Sequence, residues 1–199
     1  DVYAGGGFTN VNNGVTSIPE ADYIAKWDGA NWSALGNNGA GVGALNNPVY
    51  AIAIDGSNNV YAGGGFYDAA GIATADRIAK WNGSAWSALG SDGAGDGALA
   101  NSVLEIVING TDIYAAGVFV GSTGLPTADY VARFNTGTNT WVGLGSNGAG
   151  NGALNRGGMG MAFSGGNLYL GGLFYDVNNG GTVLPTADYF AIWSGSAWS

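Results

Sequence analysis

The sequence predicts an all-β protein made of repeated four-stranded sheets, and three observations support this prediction. The thirteen residues "IAKWDGANWSALG" from Ile24 return as "IAKWNGSAWSALG" from Ile78, 54 positions later. A phrase of the type "VYAGGGF" occurs four times along the 199 residues. No stretch of ten or more residues keeps a helical period of apolar residues. Self-similarity at a fixed period indicates one structural unit that is stacked several times.

Four phrases make up the unit, and each has the aromatic and β-branched residues of a strand bounded by Gly, Asn or Asp turns. The inner strand occurs as "VYAIAID" from Val49, "VLEIVIN" from Val103 and "GMAFS" from Gly160. The tyrosine–glycine phrase is the second strand, from Val2, Val60, Ile113 and Leu168. "ADYIAKW" and its relatives form the third strand, from Ala21, Ala75, Ala128 and Ala187. "NWSALG" and its relatives form the fourth, from Asn31, Ala85, Thr140 and Ala197. The predicted strands are 2–8, 22–28, 31–35, 49–54, 60–66, 76–81, 85–89, 103–108, 113–119, 129–134, 140–144, 160–163, 168–174 and 188–193.

Aromatic residues recur in register within the unit. They are Tyr3, Tyr61, Tyr114 and Tyr169; Trp27, Trp81, Phe134 and Trp193; and Trp32, Trp86, Trp141 and Trp198. Flat rings fill the gap between neighbouring twisted sheets, so this regularity predicts packing between sheets, with carbohydrate stacking as the alternative role. The glycines after each tyrosine predict that the sheets approach closely near the centre of the stack.

Four-stranded antiparallel sheets at this period indicate the blades of a β-propeller, in which about 40 to 50 residues per blade are usual. We expect one repeat domain over 1–199, with repeats at approximately 2–59, 60–112, 113–167 and 168–199. The first blade is expected to lack its innermost strand. The chain is therefore predicted to be part of a larger propeller, or to complete one by homo-oligomerisation.

Three features of the unit also match a known family. They are the glycine pair after an apolar strand ("YAGG", "YLGG"), an aromatic residue near the end of the next strand, and a tryptophan five to seven residues further on ("WDGANW", "FNTGTNTW"). In these features the chain resembles kelch-type repeats, which build the propellers of galactose-oxidase-like proteins. In the general character of its sequence it is also similar to the propeller repeats of large bacterial secreted proteins. The resemblance implies a propeller fold, and the chain has no His or Cys that could form a copper site like that of the family.

Composition excludes several classes of function. The formal net charge is −9, and the five Lys and Arg residues are scattered, so nucleic acids and anionic membrane surfaces are not expected partners. No apolar run approaches the roughly 18 residues that span a bilayer. The absence of His and Cys excludes imidazole bases, thiol nucleophiles, disulfides and Cys/His zinc sites. A cysteine-free chain rich in Gly, Asn, Thr and Trp predicts an extracellular or cell-surface protein.

The long connections carry the predicted site. In an antiparallel blade, the first and third turns lie at one end, and the second and fourth connections lie at the other. The long connections 9–21, 67–75, 120–128 and 175–187, together with 36–48, 90–101 and 145–156, therefore share one face. The predicted ligand-binding residues on this face are Tyr67, Asp68, Asp92, Asp96, Tyr175 and Asp176. Carboxylates beside tyrosine rings suit a neutral polyol such as a glycan, with Ca²⁺ as the alternative ligand and no other cofactor.

Four aspartates open the third strands in register. They are Asp22, Asp76, Asp129 and Asp188. We predict that their carboxylates accept hydrogen bonds from backbone N–H groups of the preceding loop. Calcium ligation is the alternative role.

These observations favour a non-catalytic extracellular binding or scaffold module with a glycan or protein partner. One alternative is a structural subunit of a cell-surface fibre or layer, in which the glycine-rich loops contact neighbouring protomers. A weaker alternative is a carboxylate-dependent glycoside hydrolase or lyase. The 14 acidic residues allow it, but none stands in a recognisable catalytic setting.

Overall fold

The computed structural model describes residues 1–122 and 124–199 and contains eighteen short strands. The strands are β1 (Val2–Gly5), β2 (Val11–Asn13), β3 (Thr16–Ile18), β4 (Ile24–Trp27), β5 (Trp32–Ala34), β6 (Val49–Ile54), β7 (Val60–Gly64), β8 (Ile78–Trp81), β9 (Trp86–Ala88), β10 (Val103–Asn109), β11 (Asp112–Gly117), β12 (Val131–Asn135), β13 (Thr140–Gly143), β14 (Gly158–Ser164), β15 (Asn167–Gly172), β16 (Val177–Asn179), β17 (Thr182–Leu184) and β18 (Phe190–Trp193). One 3₁₀ turn spans Ala69–Gly71. Within the described residues, no helix is long and apolar enough to cross a lipid bilayer.

The strands form four main antiparallel sheets in chain order. Their strand orders are β1-β4-β5, β6-β7-β8-β9, β10-β11-β12-β13 and β14-β15-β18. The all-β prediction is confirmed, and the described strands do not close into a barrel. The first sheet has no described counterpart of the inner strand β6, as the alignment of the repeats predicts.

The predicted third strands begin two residues too early. The sequence pattern predicts them at 22–28, 76–81, 129–134 and 188–193, but β4, β8, β12 and β18 start at residues 24, 78, 131 and 190. The reason is a tight turn at each aspartate, which the structure of the site explains below. The second strands also end early: β7 stops at Gly64 instead of residue 66. A Cβ added at Gly64 would collide with the Pro48 carbonyl oxygen, so the close approach at this strand end requires glycine.

Two of the predicted long loops contain hairpins that the sequence analysis did not predict. In loop 9–21, β2 pairs with β3 around a two-residue turn at Gly14 and Val15. In loop 175–187, β16 pairs with β17 in the same way. The Asn13 side chain accepts a hydrogen bond from the Trp32 backbone N–H (2.7 Å) and donates one to the Trp32 carbonyl oxygen (2.9 Å), which ties the first hairpin to its sheet. In loop 120–128, residue 123 lies outside the described residues.

Tryptophans hold adjacent sheets together. The indole Nε1 of Trp86 donates a hydrogen bond to the Leu35 carbonyl oxygen of the preceding sheet at 2.5 Å. Trp198 donates equivalently to Leu144 at 2.7 Å. Both indoles are buried. These contacts confirm the predicted packing role of the fourth-strand tryptophans.

The sheets also approach closely at their inner strands. A Cβ atom placed on Gly63 would lie 2.6 Å from Val103 Cγ1 of the next sheet, and one placed on Gly5 would lie 2.6 Å from Val49 Cγ1. Real Cβ atoms essentially never come this close to another heavy atom. The predicted use of glycine for close approach is therefore confirmed at these two positions.

Candidate ligand-binding cleft

The aspartate that opens each third strand holds the long loops in place. Asp76 Oδ1 accepts a hydrogen bond from the Asp68 backbone N–H (2.7 Å), and Oδ2 accepts one from the Gly97 N–H (3.1 Å). Asp129 binds two loops in the same way. The prediction that these carboxylates accept backbone hydrogen bonds is confirmed. Because one carboxylate binds the loop before it and the loop that follows the same sheet, Asp76 fixes the spacing between the two loops.

The residue after each of these aspartates adopts a left-handed backbone. The φ angles are 62° at Tyr23, 63° at Arg77, 65° at Tyr130 and 62° at Tyr189. The next N–H returns to the aspartate carbonyl, as from Ile78 to Asp76 at 2.6 Å, which closes a three-residue turn. Bulky residues pay a conformational cost for positive φ. The third strand can therefore start only after this turn.

A cleft of about 550 Å³ lies at the long-loop end of the second sheet. Its lining residues are Asn46, Tyr67, Asp68, Asp76, Arg77, Asp92, Asp96, Gly97, Ala98, Leu99 and Ala100. The structure thus brings four of the six predicted site residues together, from the loops 67–75 and 90–101. The other two, Tyr175 and Asp176, lie at the equivalent place in the loop of the fourth sheet and do not line this cleft.

Arg77 is the residue of this cleft that the sequence analysis missed. Its side chain is only 8% exposed, its Cζ lies 3.5 Å from the centroid of the Tyr67 ring, and its Nη1 donates a hydrogen bond to the Gly65 carbonyl oxygen at 2.6 Å. Among the described residues, no carboxylate lies within 4.0 Å of the Arg77 guanidinium. The cleft therefore contains a fixed, largely desolvated cation stacked on an aromatic ring. The other three repeats have tyrosine at the position of Arg77. This departure from the repeat is the sequence feature that could have indicated its role.

Asp92 stabilises its own loop. Its Oδ1 accepts hydrogen bonds from the backbone N–H groups of Ala94 (2.7 Å), Gly95 (3.1 Å) and Asp96 (3.1 Å). These hydrogen bonds, that from Ala94 first, lower the pKa of the Asp92 carboxyl group. Asn147 makes the same type of contact in the following repeat, with Ala149 and Asn151. The predicted site residue Asp92 thus has a structural role in the loop, and its second carboxylate oxygen faces no described hydrogen-bond donor.

Asp68 and Asp176 occupy a left-handed position, with φ angles of 48° and 54°. The equivalent residues are Asn10 and Gly121, with φ angles of 58° and 60°. Asn, Asp and Gly are the residue types that tolerate this conformation, so the backbone explains their presence here. The Asp68 carboxylate makes no hydrogen bond within the described residues and lies at the exposed edge of the cleft.

The loop of the fourth sheet repeats part of this arrangement. The Tyr67 N–H donates to Asn46 Oδ1 at 2.9 Å, and the Tyr175 N–H donates to Asn155 Oδ1 at 3.1 Å. Arg156 lies over the Tyr175 ring, with its Cζ 5.1 Å from the centroid. The sequence analysis did not single out either asparagine. The sequence feature that both asparagines share is the motif "ALN", which precedes the inner strands β6 and β14.

Metal binding has little geometric support in the described part of the chain. Residues 1–122 and 124–199 contain no group of three or more His, Cys, Asp or Glu side chains placed to hold a metal ion. Asp76 has both oxygens engaged by backbone N–H groups, so it has less capacity left for a cation.

Comparisons with known proteins do not place the chain in a family. No protein-family model matches it, and no curated protein matches it. Among solved structures it is similar to the crystal structure of the computationally designed Ika8 protein, with 14% identity and a TM-score of 0.39. That match covers 76% of this chain and 45% of the designed chain, so this chain spans less than half the length of its match. The resemblance to kelch repeats stays a prediction.

Proposed function

We propose that the chain is a non-catalytic, extracellular binding module whose sheets are blades of a β-propeller, and that it binds a neutral polyol, such as a glycan, in the cleft of the second sheet. The observation that carries the proposal is that Tyr67, Asp68 and Asp96 line one cleft together with the buried Arg77, which stacks on the Tyr67 ring. Residues from the loops 36–48, 67–75 and 90–101 and from the turn before β8 line this single concave surface.

The chemistry of the cleft suits hydroxyl groups. Asp68, Asp92 and Asp96 supply hydrogen-bond acceptors, and the Arg77 guanidinium supplies donors. A sugar hydroxyl both donates and accepts, so it can satisfy both kinds of group. The Tyr67 ring is 45% exposed, and a partly exposed aromatic ring can pack against the apolar face of a sugar.

Charge argues against an anionic ligand. Four carboxylates line the cleft together with one guanidinium, so the local charge is negative, in line with the net charge of −9. A phosphate or carboxylate ligand would be repelled by the majority of these groups. A neutral ligand meets no such penalty.

Two of the carboxyl groups in the cleft are poorly suited to acid catalysis, which favours a binding role. A glycoside hydrolase needs one carboxylic acid that stays protonated and one carboxylate. The Asp92 carboxyl group is unsuited to the acid role, because hydrogen bonds from its own loop lower its pKa. Asp76 is engaged through both oxygens.

The alternative of a structural subunit is favoured by one separate observation. The fourth sheet exposes large apolar side chains, among them Phe190 and Tyr189. Exposed apolar surface of this kind is typical of an interface.

A glycan array followed by isothermal titration calorimetry tests the proposal. We expect weak binding, because glycine-rich loops lose entropy when a ligand orders them. The Tyr67→Ala substitution should weaken binding of the selected glycan about tenfold, which is close to the free energy of one aromatic contact. The matched control is Ser84→Ala in the short turn at the opposite end, which should bind normally.

Two further titrations separate the alternative sites and ligands. The parent chain is titrated with calcium, and the Tyr175→Ala variant is titrated with the selected glycan. Binding that needs Tyr175 but not Tyr67 would move the site to the fourth sheet. Calcium binding without glycan binding would replace the polyol by a cation. If no glycan binds, or if Tyr67→Ala and Ser84→Ala bind alike, the proposed cleft is wrong.

A further inference from the structure

Each interface between adjacent sheets repeats one contact between a second strand and the next inner strand. At the first two interfaces, a glycine receives a valine: Gly5 faces Val49, and Gly63 faces Val103. At the third interface the sizes are exchanged. A Cβ on Gly158 of the inner strand would lie 3.0 Å from Ala116 Cβ of the second strand.

The inner strand brings a second apolar residue to the same interface. A Cβ on Gly63 would also lie 2.9 Å from Ile106 Cδ1, and one on Gly5 would lie 3.0 Å from Ile52 Cδ1. A β-bulge between Val103 and Glu105, and an equivalent bulge in β6, shift the register there. This bulge places residues three apart on the same face of the strand. The pattern Val-x-x-Ile therefore describes the inner strands at the two interfaces where the second strand carries glycine.

The fourth sheet has the same groove, but nothing described covers it. A Cβ on Gly171 would meet no atom closer than the Tyr189 carbonyl oxygen, at 3.8 Å. Phe190 is 54% exposed, whereas its equivalents Ile78 and Val131 are 2% and 1% exposed. Both differences have one cause: in the earlier sheets the next inner strand covers these positions.

We propose that the face of the fourth sheet formed by Gly171 and Phe190 binds the inner strand of a further sheet of the same repeat. A β-branched residue of that strand seats on Gly171, and a second apolar residue three positions later packs beside it. The partner is identified by continuity with the three interfaces within this chain. The inference is independent of the ligand of the cleft, but it rests on the proposed repetition of blades.

Engineered disulfides test this docking because the chain contains no cysteine. Ser199 stands in the same place of the repeat as Ser87, so a copy of residues 88–143 added after Ser199 continues the pattern. Two cysteines are introduced into this extended chain. One is Gly171→Cys, and the other replaces the valine of the added copy that corresponds to Val103. The matched control is Gly63→Cys with Val103→Cys in the original chain, where the two Cβ positions lie 3.1 Å apart, somewhat closer than the roughly 3.5–4.5 Å usual in a disulfide.

We expect both pairs to form a disulfide to a similar extent, measured by mass spectrometry under mild oxidation. A disulfide in the control but not in the extended chain would overturn the docking face and leave the stacking of sheets intact. Failure of both pairs would reflect strain at this short Cβ separation, and the comparison of thermal unfolding below then decides. Neither result depends on glycan binding.

A second measurement applies if the extended chain does not fold. Phe190→Ser and Val131→Ser are compared in the original chain by thermal unfolding. We expect Val131→Ser to lower the melting temperature strongly and Phe190→Ser to leave it unchanged. An equal loss for both variants would show that Phe190 is already covered, which would overturn the proposal.

Discussion

The indole Nε1 of Trp141 donates a hydrogen bond of 2.5 Å to the carbonyl oxygen of Leu89, which lies 52 residues earlier in the preceding sheet. The same indole packs against Phe134 of its own sheet, with the ring centroids 5.2 Å apart. One side chain thus satisfies a buried carbonyl and fills the space between two sheets.

Removing the indole N–H of Trp141 tests how much this hydrogen bond contributes to the free energy of unfolding. We expect Trp141→Phe to lower the free energy of unfolding by about 1–3 kcal/mol, because the buried Leu89 carbonyl oxygen loses its donor. Urea denaturation followed by circular dichroism measures this change. Trp32→Phe is the matched control. The Trp32 side chain is half-buried and its indole N–H donates to no described acceptor, so its replacement should cost less. Equal losses would show that the cross-sheet hydrogen bond contributes nothing specific.

The two-loop contact of Asp76 gives a second prediction. Asp76→Ala leaves the Gly97 and Asp68 N–H groups without an acceptor, and we expect a loss of about 1–3 kcal/mol in the free energy of unfolding. Hydrogen exchange at these two amides should accelerate at the same time. Asp188→Ala serves as the comparison, since Asp188 accepts one hydrogen bond at an exposed site. A larger effect at Asp188 than at Asp76 would contradict this account.

Stability should fall at high pH because of Tyr61. Burial, and then the charge of Asp55 and the hydrogen bond to its Oδ2, raise the pKa of Tyr61 to about 12, whereas the unfolded value is about 10. The folded state therefore favours the neutral phenol. Its contribution to stability is complete below pH about 10 and is lost as the pH rises through about 12.

Denaturation curves measured between neutral pH and pH about 11.5 check this prediction. In Tyr61→Phe the decline above pH about 10 should be shallower than in the parent chain. Absorbance of tyrosinate should show one tyrosine that ionises later than the others. If Tyr61→Phe leaves the decline unchanged, other groups cause it.

Glycine at the close approach between sheets is expected to be irreplaceable. Gly63→Ala would bring a methyl group against Val103 and Ile106, and overpacking of this kind costs about 1–3 kcal/mol. Gly171→Ala, where space is open, should change stability by less than about 0.5 kcal/mol. Adding Val103→Ala to Gly63→Ala should recover part of the loss, because a smaller inner-strand residue already faces Ala116 at the third interface. Thermal or urea unfolding of the parent chain and the three variants measures all three effects.

The repeated units and their order could be predicted from the sequence because each strand is bounded by turns and recurs in register. The exact strand starts could not. Asp76 and Arg77 look like the first residues of a strand, since nothing in "ADRIAKW" signals a positive φ at a bulky residue. Tertiary contacts impose that turn, through the two loops that the Asp76 carboxylate binds.

The hairpin β2–β3 was missed although its signal is present. The two turn residues are Gly14 and Val15, and glycine at the first turn position is typical of a type II′ hairpin, but the surrounding polar residues resemble an ordinary loop. For the cleft, residue chemistry predicted Tyr67 and Asp68. Arg77 was not predicted because the repeat pattern carries tyrosine at this position in the other three units. Asp176 lies apart from the cleft because equivalent residues of different sheets occupy separate places around the stack.

Hydrogen–deuterium exchange with and without the glycan selected on the array tests the central claim most directly. That claim is that the ligand binds at the long-loop end, in the cleft of the second sheet. We expect slower exchange on binding in residues 67–77 and 92–100 and no change at the short turns. Protection confined to the short turns 28–31, 55–59, 82–85 and 109–112 would contradict the claim.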